Sequence, residues 1–132
     1  MAMSATKCFV LVFGDPAQNG DTLESETYEA GDAYPKFEVR PGDFLLLYCT
    51  DGYPNRPRQI AGLGVAVTAE PRRITYRRIP LKDPILREQI NGIFDPEDWK
   101  KMTQLGLTSR RAFEIKRESF ERATSGQSIT WP

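Results

Sequence analysis

A chain of 132 residues with 39% hydrophobic and 27% charged side chains has the size and balance of one globular domain around one core. It contains no histidine, which removes the usual general base, the usual catalytic triad and the commonest metal ligand; two cysteines alone cannot build a typical structural zinc site. Basic and acidic side chains balance at 18 each, yet residues 1–51 carry a net −6 and residues 52–132 a net +6, a polarity that favours an anionic partner on one side of the fold.

The opening MAMSATKCFVLVFGDP, with one lysine and a short apolar run, has a poor charged segment and cleavage site for a signal peptide, so none is expected. It predicts a first strand over 7–13, closed by the turn residues Gly14-Asp15-Pro16. No apolar run approaches the ~20 residues of a membrane span, so a cytoplasmic protein is expected. Residues 17–36 have few aliphatics and hold Asp21, Glu24, Glu26, Glu29 and Asp32. An irregular stretch that long inside a small domain is often functional.

Pro41-Gly42 predicts a tight turn, with the proline preset for its first corner and the glycine for positive φ. FLLLYCT (44–50) is a continuous apolar strand covered on both faces. After a loop over 51–59, IAGLGVAVTAE (60–70) alternates, with Leu63, Val65 and Val67 on one face and Gly62, Gly64 and Ala66 on the other. Residues 72–81 have strand composition and an exposed face heavy in arginine. Cys8 and Cys49 sit inside apolar strands and are expected as buried thiols, a disulfide between neighbouring strands remaining the alternative.

Asp83-Pro84 predicts a helix start, with Leu86, Ile90, Ile93 and Phe94 at helical spacing. Asp95-Pro96 repeats the device ahead of a stripe of Trp99, Met102 and Leu105, where Trp99 is expected in the core. Glu97 and Asp98 are explained as first-turn partners of the helix dipole rather than metal ligands. Residues 110–116 predict a last strand, and Ser119 is expected to cap a closing turn. The order of strand, long loop, three strands, two helices and strand predicts one α+β domain over 1–132, built on a small barrel or curled sheet.

Glycines along one face of such a sheet let a ligand or another backbone approach closely; alternatively they only bend the sheet to close a barrel. Beside them, Tyr48-Cys49-Thr50 and Phe13-Gly14-Asp15 end two strands with rings and a few polar groups, the lining that suits a flat heterocycle. Asp15 is either a buried acid that reads a base edge or a turn residue ahead of Pro16. Gly62-Leu63-Gly64 lacks the rest of any phosphate-loop fingerprint.

The blocks CFVLVFGDP, VRPGDFLLLYCT, IAGLGVAVTAEP and FEIKRESFERA resemble, in order and over essentially the whole chain, those of the EVE domain, a PUA-like family related to YTH and ASCH domains. The resemblance implies a PUA-like curled β-barrel of five to six strands with two or three short flanking helices. It also implies a non-catalytic pocket for a modified nucleobase in DNA or RNA, or for a free nucleotide-like ligand, with no cofactor and no metal. Carried over by position, that pocket comprises Phe13, Gly14, Asp15, Tyr48, Cys49, Thr50, Tyr53 and Gly62. Arg56, Arg58, Arg72, Arg73, Arg77 and Arg78 are the phosphate-contact candidates. The chain departs from the family pattern at Gly14-Asp15-Pro16, at Cys49-Thr50-Asp51, and in having no tryptophan ahead of the Pro-Gly-Asp turn, where only Tyr28, Tyr34 and Phe37 stand. Two other readings remain. One is a protein-interaction domain using the acidic loop and the arginine-rich face; the other is a small-substrate hydrolase or transferase using Asp15, Asp51 and Thr50, for which no partner base is identifiable.

Overall fold

Strand β1 (Cys8–Phe13) has no charged side chain and is buried along its whole length, as a central strand with both faces covered must be. The computed structural model describes residues 6–14, 22–29, 39–51, 53–54, 58–70, 73–104, 112–125 and 127. In it β1 lies between β3 (Phe44–Cys49), which runs parallel to it, and β6 (Ala112–Ile115), which runs antiparallel. With β2 (Thr27–Glu29), β4 (Gln59–Glu70) and β5 (Arg73–Leu86), the sheet order is β2-β5-β4-β3-β1-β6. Three helices follow β5: α1 (Arg87–Ile93), α2 (Pro96–Gln104) and, after β6, α3 (Arg117–Thr124). Among the described residues the fold is therefore α+β, a curled six-stranded half-barrel with three helices. No helix among the described residues is long and apolar enough to cross a membrane.

Alternation along the strands divides the core in two. One face gathers Phe13, Leu45, Leu47 and Tyr76 with Leu23, Tyr28 and Tyr53. The other packs Val12, Leu46, Tyr48 and Leu63 against Ile90, Phe94, Met102 and Phe120 of the helices. Cys8 and Cys49 are free and lie one on each face, at opposite ends of the β1–β3 pair, too far along the strands to bridge. Burial pushes the Cys8 thiol up to about 12.

The Pro41-Gly42 turn forms as predicted, with Gly42 at φ +95. Asp43, nearly fully buried, accepts the backbone N–H of Arg40 at 2.8 Å and of Lys7 at 3.1 Å, pinning the turn to the start of β1. Gly42 N–H donates to Ala66 O at 2.8 Å, pinning it also to β4.

Three expectations need correction. Asp83-Pro84 does not open a helix: β5 runs on to Leu86, because Ile85 pairs with Ile60 and Leu86 with Gln59. The side-chain amide of Gln127 accepts the Asp83 N–H at 3.4 Å and donates to its carbonyl at 3.1 Å, imitating a further strand on that outer edge. Helix α1 starts only at Arg87, where the Gln89 side chain accepts the Leu86 N–H at 2.9 Å. The stretch 17–36 is not wholly irregular, since Leu23–Ser25 form a 3-10 turn and Thr27–Glu29 form β2; its remaining parts lie outside the described residues.

Ser119 is not a cap but the third residue of α3, and it is buried. Its hydroxyl donates to Asp98 Oδ2 at 2.6 Å and accepts the Asp95 N–H at 2.9 Å. Asp98 also accepts the Lys116 N–H at 2.9 Å and is wholly buried, so this carboxylate ties α2 to the start of α3. The Asp95-Pro96 start of α2 is as predicted, with Asp95 Oδ2 accepting the Glu97 N–H at 3.0 Å.

Candidate functional site

The carboxyl ends of β1 and β3 meet side by side. Their parallel register pairs Val12 with Tyr48 and Phe13 with Cys49. Beyond the last pair, Thr50 N–H donates to Phe13 O at 2.9 Å, and Tyr53 N–H to Thr50 O at 3.1 Å. Gly14 and Thr50 thus lie together at one sheet end, Gly14 buried and Thr50 half-buried.

That register also divides the predicted pocket. Phe13, Cys49 and Tyr53 belong to one face and Tyr48 to the other, so Phe13 and Tyr48 do not wall a common cavity. The Phe13 ring instead meets Tyr28 edge-on, centroids 5.0 Å apart, and Tyr53 at 6.5 Å with the rings near perpendicular. The tyrosine hydroxyls hold backbone: Tyr28 donates to Val12 O at 3.0 Å and Tyr76 to Leu23 O at 3.1 Å, while Tyr53 accepts the Leu23 N–H at 3.0 Å. These rings strap the turn Leu23–Ser25 across the sheet.

The glycine face of β4 is occupied. A Cβ placed on Gly64 would lie 2.9 Å from Cδ2 of Tyr76, and one on Gly62 would lie 3.6 Å from Leu47 Cδ1 and 3.7 Å from Arg78 Nε. Gly64 is needed so that the Tyr76 ring can lie against the strand. The expected hollow over Gly62 and Gly64 is filled by the chain's own side chains.

Nor do the predicted phosphate contacts make one track. Arg58 stands before the first residue of β4 and Arg73 pairs with Glu70 at its far end. Arg77 and Arg78 occupy successive positions and so opposite faces. Arg78 is engaged locally: its N–H donates to Glu26 Oε2 at 2.8 Å, and its guanidinium lies 3.8 Å from Glu24. Asp15, Arg56 and Arg72 lie outside the described residues.

A groove of about 260 Å³ opens near the β1–β3 strand ends, lined by Arg58, Arg87, Glu88, Asn91 and Trp99. The pairing of Gln59 with both Cys49 and Leu86 puts Arg58 and Arg87 together there, and Arg87 N–H donates to Arg58 O at 2.9 Å. Arg58 holds a left-handed backbone, φ +57, and its guanidinium pairs with Asp51. The Arg87 guanidinium lies 5.9 Å from the centroid of the Trp99 ring, and its buried Nε has no hydrogen-bond partner among the described residues. Tyr48 lies within the field of both arginines; burial pushes its hydroxyl up from the ordinary phenol value, with Arg87 opposing and Asp51 adding to the rise.

Arg87, Glu88 and Asn91 are absent from the sequence-derived site, and Trp99, expected in the core, is only partly buried. The signal that would have found them is the β4–β5 register, which carries Arg58 to Arg87. Among the described residues, no group of three or more Cys, Asp or Glu side chains is placed to hold a metal ion.

No protein-family model matches the chain, and no curated protein matches it. Among solved structures it is similar to the NMR structure of Rpa0253 from Rhodopseudomonas palustris, with a TM-score of 0.56 over 88% of this chain and 89% of that one. Sequence identity is 13%, so the likeness is one of fold.

Proposed function

We propose that the protein is a non-catalytic binding module of the PUA-like class, which takes a modified nucleobase, within a nucleic acid or as a free nucleotide-like ligand, at the joined carboxyl ends of β1 and β3. The observation that carries this reading is the parallel pairing that sets Phe13-Gly14 beside Cys49-Thr50. In open α/β sheets, ligands bind in the crevice beyond the carboxyl ends of the strands, and the parallel β1–β3 pair offers one such end within this mixed sheet. The same end carries half-buried Thr50, the buried Phe13 and Tyr53 rings packed against each other, and the arginine-lined groove nearby. The ordered EVE-like blocks of the sequence support the same class.

A panel of free modified nucleosides and short single-stranded oligonucleotides, each with its unmodified counterpart, tests the reading by thermal unfolding. A binder of modified bases raises its Tm with a subset of the modified members above their unmodified partners, as a ligand that binds only the folded state must. An unchanged Tm across the whole panel removes the reading.

A further inference from the structure

We infer that the groove between Arg58, Arg87 and Asn91 is a phosphate subsite, which holds one backbone phosphate of the strand whose base is taken at the β1–β3 ends. Naming a nucleic-acid phosphate rests on the base-binding reading above; the anion-binding chemistry of the groove does not.

The donors come from two short segments brought together by the β4–β5 pairing. Arg58 directly precedes β4 and Arg87 directly follows β5, the two linked by the Arg87 N–H to Arg58 carbonyl bond, and Asn91 follows Arg87 by one helical turn. The Arg87 guanidinium is held over the Trp99 ring, so its direction is set before any ligand arrives. Both arginines line the groove, and planar guanidinium groups match the paired oxygens of a phosphate.

Arg58 already has a carboxylate partner in Asp51, but both side chains are more than two-thirds exposed. An ion pair so open to water is weakly held and exchanges readily for another anion. The left-handed backbone of Arg58 is the sort of strain that accumulates at ligand sites. Glu88, on the same groove, repels a bare anion from its own side and offers an acceptor to a sugar hydroxyl beside the phosphate. The volume, about 260 Å³, falls below the ~300–1,000 Å³ of sites that enclose a whole drug-sized ligand, which suits one phosphate with part of its sugar.

The test uses the full chain carrying Trp131→Phe, so that Trp99 is its one indole. Its emission is titrated with inorganic phosphate and with a short single-stranded oligonucleotide bearing the best base of the panel. Both should give a saturable change. Arg58→Ala and Arg87→Lys should each weaken phosphate binding about tenfold, the scale of one charge-assisted bidentate contact. Circular dichroism confirms that each variant is folded, and because Arg58 is exposed its variant stands if the other does not. No saturable change with either probe, or a phosphate affinity in both variants equal to that of the parent, overturns the inference. Oligonucleotide binding that both substitutions leave intact keeps the base-binding reading and removes the phosphate subsite. Phosphate binding with the oligonucleotide no tighter than the free ion keeps the subsite and removes the base-binding reading.

Discussion

The two faces of the sheet use the same strands and are closed by different means. On one face, three tyrosine hydroxyls reach backbone groups of Val12 and Leu23, and Gly64 gives way so that Tyr76 can lie flat. On the other, helices supply aliphatic and phenylalanine side chains, and a single buried carboxylate, Asp98, fastens α2 to α3. The contrast teaches that the aromatic richness of the first face is architecture: its rings cover the sheet and hold a turn against it. The proposed site lies where both faces run out, at the carboxyl ends of β1 and β3 and in the adjoining groove.

Removing the fastening on the helix side should cost most. Asp98→Ala deletes the acceptor of two hydrogen bonds and leaves the Lys116 N–H and the Ser119 hydroxyl unsatisfied. A loss of about 3 kcal/mol is expected from urea unfolding. If the loss is under about 1 kcal/mol, the carboxylate is not what joins the helices.

The glycine face sharpens the comparison. Gly64→Ala forces a methyl group into the Tyr76 ring and should cost about 2 kcal/mol. Gly62→Ala, whose new atom meets only ordinary contacts, should stay within about 0.5 kcal/mol of the parent. Equal effects at the two positions would mean that the face is open rather than filled. Next in size, Tyr53→Phe removes the acceptor of the buried Leu23 N–H and should cost about 1 kcal/mol, with its amide exchanging faster with solvent.

The smallest effect is electrostatic. Hydrogen bonds from the Glu97 N–H and then Lys116 hold the Asp95 carboxyl below its ordinary value, while Glu97 and Asp95 hold the Lys116 ammonium above its own. The Asp95 contribution is full above the ordinary carboxylate range and is lost as pH falls through the lowered folded value. The Lys116 contribution is full below the ordinary lysine range and is lost as pH rises through the raised one. The urea midpoints of the parent and Lys116→Met should therefore differ by a constant small amount across neutral pH and converge at both extremes. A difference that widens in acid contradicts the assignment.

What was legible in the sequence was local. Pro41-Gly42 and Asp95-Pro96 carry their own geometry, and the apolar runs around Val10, Leu46 and Leu63 mark central strands wherever they pair. What failed needed partners distant in the chain. Asp83-Pro84 has the form of a helix start, but strand pairing with Ile60 and Gln59 and the amide of Gln127 outweigh it. The β1–β3 pair is parallel and joins residues thirty-six apart in the chain, and only its register shows that Phe13 and Tyr48 point to opposite faces. One of the groove's two arginines was visible as Arg58; Arg87 and Asn91 became visible only once β5 was seen to extend to its true end.

The most direct test of binding at the strand ends is a backbone and indole amide map by ¹H–¹⁵N NMR, recorded while the best modified nucleoside of the panel is added. The amides of Gly14, Thr50 and Tyr53 should shift together and saturably, with those of Arg73 to Thr75 at the far end of the hairpin unmoved. Shifts confined to that far end, or none at all, would contradict the placement.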